Sequence, residues 1–512
     1  MGLRVALCYR CEDRDEESVY SRIVPAGLLS IHGVLLQAGF TSHLFNFSGK
    51  SWNSIGRTLA SFQPQVVGVS HFTYNHASSM KLYEVARAVA PQAPILGGGA
   101  QATFLDEEIL RRSTSVTALV RGEGESPMLE FVKRVAAGER WQSTPSLSYR
   151  TEDGIARTSD CQVVQDLDSC YPIARFAELT GVRPEEQFPF VVTSRGCPGR
   201  CSFCDSPSFW GNRIRFRSTA GVISEIRYLM RTFGFLYFGF RDDTFAARRS
   251  RLAELCHALQ SQIPGILWNC QSRVDTVDQE RLLLMKQAGC EQLQFGIESM
   301  APEVLTVLGK RVEADRVHRV LKHCRETGIR SCAYLITGVP GQTAVGAERE
   351  LFDRHGLQEG IVSPLCYYPG TALFKRMKAQ GAVSEEVFFS GEPEDLKVRH
   401  DRQADDLFLQ MTKIIVAKVE KNAFSKSEVL QQLQLTGRCV SSLLDWGNYC
   451  LGHADVQAAR DAFEEIRQRW PHHPWGHQAL ADLAKACGRP RDARRHREAA
   501  RKAAMTLSEP GA

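Results

Sequence analysis

The sequence predicts an α/β chain in three parts: an N-terminal doubly wound, Rossmann-like domain at 1–140, a partial (β/α)6 barrel at 188–380, and an all-helical region at 381–512. Three observations predict this. Short runs that are apolar on both faces alternate with helical patterns, as parallel strands with crossover helices do. The alternation occurs twice, on either side of a turn-rich stretch at 141–187. After about residue 380 only helical periodicity remains. A length of 512 residues accommodates about three domains.

The first series has strand-like runs at Leu3–Cys8, His43–Phe47, Val66–Ser70, Ile95–Gly97 and Ala118–Val120. Helical patterns follow them at Pro25–Ala38, Trp52–Ser61, His76–Val89, Leu105–Arg112 and Pro127–Ala137. Ligands of such sheets bind at the carboxyl ends of the strands. Those ends carry Ser70-His71-Phe72-Thr73, Gly97-Gly98-Gly99 and Arg121-Gly122-Glu123-Gly124-Glu125. Residues 141–187, with Ser143, Pro145, Asp153, Gly154, Pro172 and Pro184, read as a linker. The second series runs through Phe190–Ser194, Leu236–Phe240, Leu267–Gln271, Gln292–Ile297, Cys332–Thr337 and Gly360–Cys366. Six strands with helices between them suit a partial barrel, again with chemistry at the strand ends.

In the tail, 384–435 is charged and helical, and 440–505 reads as two helical hairpins punctuated by Gly452, Pro471 and Gly488. Ala458-Ala459, Ala462-Phe463 and Leu480–Leu483 fit a tetratricopeptide-like period of about 35 residues. The alternatives are a module that docks a peptide or protein and a plain helical cap on the barrel. Ser508–Ala512 reads as a frayed end.

Composition narrows the class. Hydrophobic residues are 43% and charged residues 24%, which disfavours a disordered, collagenous or coiled-coil chain. A net charge of +5 is too small for a dedicated nucleic-acid binder. The first apolar run is short and turns acidic at Glu12–Glu17, unlike a signal peptide. The longest apolar candidate, Ile23–Phe40, is broken by Pro25, Ser30, His32 and Gln37, so no membrane span is expected. The expected location is cytoplasmic, where thiols stay reduced. Most of the sixteen cysteines then read as small buried residues.

Three stand apart. Thr193-Ser194-Arg195-Gly196-Cys197-Pro198-Gly199-Arg200-Cys201-Ser202-Phe203-Cys204 places Cys197, Cys201 and Cys204 at Cys-x3-Cys-x2-Cys spacing just after a strand. Three closely spaced thiolates can hold three irons of a four-iron cluster. Gly196 and Gly199 let the loop wrap, and Arg195 and Arg200 offset thiolate charge. A structural zinc site would want a fourth ligand nearby. The next candidates, Cys256 and His257, are far along the chain.

This loop resembles that of the radical S-adenosylmethionine (SAM) enzymes, with Phe203 at their aromatic position. The neighbouring motifs also fit. They are Phe240-Arg241-Asp242-Asp243-Thr244-Phe245, Arg273 after the third strand, Gly296-Ile297-Glu298-Ser299 after the fourth, and Leu335–Thr343 at the fifth. That last motif has Gln342 where the family usually has Glu. The resemblance implies a [4Fe-4S] cluster on Cys197, Cys201 and Cys204, and SAM held near Phe203, Asp242, Asp243, Arg273 and Glu298. Alternatively, Asp242 and Asp243 are a helix N-cap pair, and Arg273 and Glu298 a structural ion pair.

The first domain resembles the one with which a subclass of that family binds cobalamin. The residues that carry this are Ser70, Thr73, Gly98, Gly99, Gln101, Gly122, Glu123, Gly124 and Glu125. Gln101 stands where the family often has His, and no Asp-x-His-x-x-Gly supplies a histidine to cobalt. His32, His43, His71 and His76 therefore read as structural. The implied activity is methylation of an unactivated carbon of a small-molecule or peptide substrate. Non-methylating radical chemistry (cyclisation, ring contraction or oxidation) and a non-catalytic peptide-docking scaffold are the alternatives. An electron donor such as flavodoxin or ferredoxin is implied as partner. Trp210, Tyr367 and Tyr368 either line a substrate pocket or belong to the core.

Overall fold

The computed structural model describes residues 2–11, 23–170, 190–419 and 422–506. The acidic stretch Glu12–Glu17, the linker residues 171–187 and the end at 508–512 lie outside them. The chain forms two compact units. One contains Met1–Phe188, Gly199–Arg217 and Cys366–Lys397; the other contains Pro189–Pro198, Ser218–Leu365 and Val398–Ala512.

The first unit is built on a seven-stranded sheet of order β2-β1-β3-β4-β5-β6-β7. Its parallel strands are β1 (Arg4–Tyr9), β2 (Thr41–Asn46), β3 (Val66–Ser70), β4 (Ile95–Gly98) and β5 (Ala118–Val120). The crossover helices are α1 (Ala26–Gln37), α2 (Trp52–Phe62), α3 (His76–Val89), α4 (Ala100–Phe104), α5 (Asp106–Arg112) and α6 (Glu125–Ala137). Every residue of β3 is buried, as the uninterrupted apolar run predicts for a strand covered on both faces. Local signals set the helix ends: the Ser51 hydroxyl accepts from the Ser54 N–H to start α2, and Gly138 closes α6 at φ 71°.

The linker expectation is corrected over part of its length. Residues Leu147–Thr151 (β6) and Gly154–Arg157 (β7) form a hairpin that extends the sheet antiparallel. A tertiary contact holds it. Buried Asp106 accepts from Arg157 at 2.8 and 2.6 Å and from the Ser148 hydroxyl. Burial pushes the Asp106 carboxyl up, but these hydrogen bonds outweigh it and hold the group low.

The second unit contains a six-stranded parallel sheet, the partial barrel, with its strands in sequence order. They are β8 (Phe190–Val191), β9 (Tyr237–Phe240), β10 (Leu267–Ser272), β11 (Cys290–Glu298), β12 (Arg330–Thr337) and β13 (Glu359–Pro364). Between them lie α7 (Thr219–Phe233), α8 (Arg249–Gln262), α9 (Gln279–Gln287), α10 (Ala314–Thr327) and α11 (Gly346–Asp353). Tail helices follow: α12 (Arg402–Val419), α13 (Lys426–Leu435), α14 (Val440–Gly452), α15 (Val456–Arg469), α16 (Pro474–Ala486) and α17 (Pro490–Thr506). The barrel is shorter than expected, because Cys366–Lys397 folds with the first unit.

The tail hairpins pack beneath the barrel. Leu443, Phe463, Ile466 and Leu480 form one core with Leu267 at the start of β10, and Tyr237 at the start of β9 packs against it. Polar contacts pin the same end. Lys286 Nζ lies 2.7 Å from Asp445 and 3.5 Å from Glu291, and Gln432 donates to the Arg325 carbonyl at 2.7 Å. The cap thus sits at the amino ends of the strands, opposite the ends that carry the motifs. Among the described residues, no helix is long and apolar enough to cross a membrane.

Candidate cofactor site

In the second unit the cluster loop leaves β8 through Thr193 and Ser194. The turn after β9 holds these two residues. Asp242 Oδ1 accepts from the Thr193 and Ser194 N–H groups at 2.6 and 3.1 Å. Asp242 Oδ2 accepts from the Thr193 hydroxyl and, at 2.8 Å, from the Ser194 hydroxyl. The carboxylate is buried and committed to four donors. Through these contacts Asp242 positions the entrance of the loop, a role the sequence did not reveal. It is no helix cap, since α8 starts later, after Arg248. Asp243 beside it is exposed. Gly196 adopts φ 100°, and Cys197 Sγ lies 3.1 Å from Thr244 Oγ1.

In the first unit, Cys204 N–H donates to the Cys201 carbonyl at 3.4 Å, and Phe203 is half-buried. None of the sixteen cysteines is in a disulfide. Cys197, Cys201 and Cys204 are half-exposed, whereas Cys8, Cys256, Cys270 and Cys324 are buried. Burial pushes those four thiols up, so they keep their protons and are poor thiolate ligands. Partial exposure, Cys-x3-Cys-x2-Cys spacing and soft sulfur donors fit an iron–sulfur cluster. Among the described residues, no three His, Cys, Asp or Glu side chains form a ready-made metal site. The ligand assignment rests on that fit.

The other barrel motifs meet at strand ends. Glu298 ends β11 at φ 68°, where the pairing with β12 shifts register. Its Oε1 accepts from Lys310 Nζ at 2.8 Å, and both side chains are at most 10% exposed. Gly296 makes room: a Cβ there would lie 2.7 Å from Glu298 Oε1 and 2.9 Å from Lys310 Nζ. A non-glycine residue at positive φ beside a buried ion pair is strained in a way typical of functional sites. Arg273 does not pair with Glu298. It forks onto Asp275 at 2.9 and 2.7 Å. Sequence reasoning missed Lys310, whose only local signal is a lysine following the short helix Pro302–Val307 after β11.

It also missed a neutral polar ladder. Gln271 donates to Tyr334 Oη at 3.3 Å, and Tyr334 donates to Gln294 Oε1 at 2.8 Å. These half-buried residues of β10, β11 and β12 share the sheet face opposite buried Trp268, Cys270, Leu293 and Phe295. The signal was alternation within strands read only as apolar.

At the carboxyl ends of the first sheet, Gly99 has φ 116°, and a Cβ there would lie 2.7 Å from the His71 carbonyl oxygen. Glycine thus lets the turns after β3 and β4 touch. A neutral relay joins them. Thr73 donates to Gln101 at 2.9 Å, Gln101 Nε2 lies 3.5 Å from His76 Nδ1, and His71 Nε2 lies 2.9 Å from His76 Nδ1. His71 Nδ1 then meets Tyr83 Oη at 3.0 Å. Burial lowers His71 well below its ordinary range and His76 to about 4, so both are neutral near pH 7. His32 is likewise held, 3.0 Å from the Ser42 hydroxyl.

Ser70 ends β3 buried, with its carbonyl accepting from Asn75 and Ser79. Gly122 has open space where a Cβ would be and a Cβ on Gly98 would just touch Val120 at 3.9 Å, whereas Gly124 packs against Ile31, and Glu125 is buried at the start of α6. Open backbone at glycines on a strand-end edge fits a flat ligand. The Glu123 carboxylate accepts from Arg215 and from the Val164 N–H. Tyr367 is core, Tyr368 is exposed, and Trp210 is half-buried against Phe209.

Two family models match this chain: the radical SAM superfamily over residues 191–349, and the B12 binding domain over 17–132. The chain thus carries a radical SAM domain and, ahead of it, a B12 binding domain. These are the domain types that the expected [4Fe-4S] cluster, SAM and cobalamin call for.

An uncharacterised methyltransferase of Pyrococcus horikoshii is 28% identical over 333 residues, covering 64% of this chain and 72% of that one. The anaerobic magnesium-protoporphyrin IX monomethyl ester cyclase of Rubrivivax gelatinosus is 26% identical, covering 62% of this chain and 60% of that one. Among solved structures, the radical SAM methyltransferase TsrM of Kitasatospora setae, with cobalamin and [4Fe-4S] cluster bound, matches with TM-score 0.62 at 19% identity. That match covers 75% of this chain and 76% of TsrM, and shows a shared fold.

Proposed function

We propose that this chain methylates an unactivated carbon of a small-molecule or peptide substrate. The observation that carries the proposal is the combination, in one chain, of half-exposed thiols at a barrel strand end with a glycine-lined edge on a B12-type sheet. When bound, the reduced cluster supplies the electron that cleaves SAM, and cobalamin supplies the methyl group to the substrate radical.

The chain's residues do the rest. Cys197, Cys201 and Cys204 hold the cluster, and Asp242 sets the entrance to their loop. Lys310 and Glu298 offer opposite charges to the carboxylate and amine of SAM, and Arg273 offers a second fork once Asp275 releases it. Phe203 flanks the adenine through its backbone. The Gln271–Tyr334–Gln294 ladder has both donors and acceptors and no charge. It supports a neutral polar group, such as an amide or hydroxyl, on the substrate. A flavodoxin- or ferredoxin-type protein provides the electron.

The cyclase relative favours a second reading, ring formation with the same cofactors. One experiment separates them. Anaerobically reconstituted enzyme is incubated with SAM, a one-electron reductant and candidate metabolites, and the products are weighed by mass spectrometry. Methylation predicts 5′-deoxyadenosine, S-adenosylhomocysteine and a product one methyl heavier. Deoxyadenosine without S-adenosylhomocysteine would sink methylation in favour of the cyclase reading.

A further inference from the structure

Residues Gly199–Arg217, which carry Cys201 and Cys204, fold with the seven-stranded sheet. A buried clamp fixes them there. Arg215 Nη2 donates to Glu123 Oε1 at 2.7 Å, and Nη1 donates to Oε2 at 2.9 Å. Such a two-point fork sets direction as well as distance. Val164 closes the arrangement: its N–H donates to Glu123 Oε2 at 2.7 Å, and its carbonyl accepts from Arg215 Nη1. The Arg215 and Glu123 side chains are 10% and 6% exposed.

Further contacts brace the same segment. Arg217 Nε donates to Asp168 at 3.3 Å, Leu373 N–H to the Ser202 carbonyl at 2.7 Å, and the Ser208 hydroxyl to the Gly370 carbonyl at 2.8 Å. Glu123 lies in the turn after β5, on the edge where a doubly wound sheet binds its ligand. Arg215 lies on the chain leaving the cluster loop. An exposed ion pair there would hold little. A buried fork cannot open without stranding a charge.

We propose that Glu123 and Arg215 are a positioning pair that holds the Cys201–Cys204 half of the cluster loop at a set separation from the cobalamin-binding edge. The inference rests on the cofactor assignment above, and it concerns geometry rather than ligation. Neither residue touches a reacting atom. The pair sets how far apart two cofactors stand, which no single loop decides.

The test is a charge cycle: Arg215→Glu, Glu123→Arg, the double swap, and Arg215→Lys, which keeps the charge but not the fork. Each protein is reconstituted anaerobically with iron, sulfide and cobalamin. The readout is microwave-power saturation of the cob(II)alamin paramagnetic resonance signal, with the cluster oxidised and then reduced. Dipolar relaxation by the reduced cluster falls steeply with separation. S-adenosylhomocysteine formed from SAM and chemically reduced cobalamin, without substrate, is a second readout.

Arg215→Lys should keep its iron and cobalamin yet show weaker relaxation enhancement. The single reversals should lose up to ~100-fold in S-adenosylhomocysteine formation, the scale of a ~1 Å misplacement. The swap should restore both readouts. Unchanged enhancement in Arg215→Lys and the reversals overturns the proposal. So does a loss of iron or cobalamin that the swap does not repair, because the pair would then be only a brace of the fold. Wild-type protein that forms no S-adenosylhomocysteine counts against methyl transfer alone, since the spin measurement does not depend on it.

Discussion

Asp242 offers the sharpest test of how the barrel presents its cluster loop. Replacing it by alanine orphans two buried backbone N–H groups, on Thr193 and Ser194, and two hydroxyl donors. Each stranded buried N–H costs ~1–3 kcal/mol, so Asp242→Ala should cost ~4 kcal/mol. For a unit of this size that lowers Tm by roughly 8–16 °C. Asparagine is a different perturbation. Its Oδ1 can still accept from both N–H groups, and both hydroxyls can turn to accept from its NH₂. Asp242→Asn should therefore cost only ~1 kcal/mol. The assays are thermal unfolding of the apoprotein and bound iron after reconstitution. Alanine should lose most iron and asparagine should keep it. An alanine variant with wild-type Tm and iron would refute the positioning role. An asparagine variant as damaged in SAM cleavage as alanine, with iron intact, would mean that the negative charge itself contacts SAM.

Gly296→Ala places a methyl group 2.7 Å from Glu298 Oε1 and should break the buried Glu298–Lys310 pair; the cluster should remain, but deoxyadenosine formation should fall at least ~10-fold, at a stability cost of ~3–5 kcal/mol. Retained deoxyadenosine formation would remove the pair from the SAM site. Lys286→Ala strands Asp445 and Glu291 between barrel and tail and should destabilise by ~3–5 kcal/mol in denaturant unfolding; an unchanged unfolding midpoint would discount the contact. Burial, and then the Asp445 charge, push the Glu291 carboxyl up to about 7, against the opposing pull of Lys286 and Arg330. The folded state therefore holds this proton more tightly than the unfolded chain. Stability from Glu291 is full below about pH 4.5 and is lost as pH rises through about 7. Tm measured from pH 5 to 8 should fall with a slope that Glu291→Gln flattens, and an unchanged slope in that variant would discount the group.

The cofactor chemistry was legible in the sequence because it is local. Three thiols within one loop, a strand before them and glycines at the next strand ends are all short-range facts. The strand and helix series were legible for the same reason: periodicity is written residue by residue. What the tertiary structure decided were pairings between distant residues, for which a single sequence carries no signal. Asp242 has the same residue type whether it binds SAM or staples Thr193 and Ser194. Glu123 looks like a ligand-edge carboxylate, and only the fold shows Arg215, far along the chain, paired with it. The hairpin at Leu147–Arg157 was hidden among turn residues because Asp106 and the edge of β5, not its own periodicity, hold it in the sheet. The tail's place beneath the barrel rests on Leu267, Tyr237 and Lys286 meeting helices encoded long after them. Sequence alone determined which groups can do the chemistry. Which of them are free to do it was decided by burial and by long-range partners, because an ionised side chain removed from water must be paired before it can be anything else.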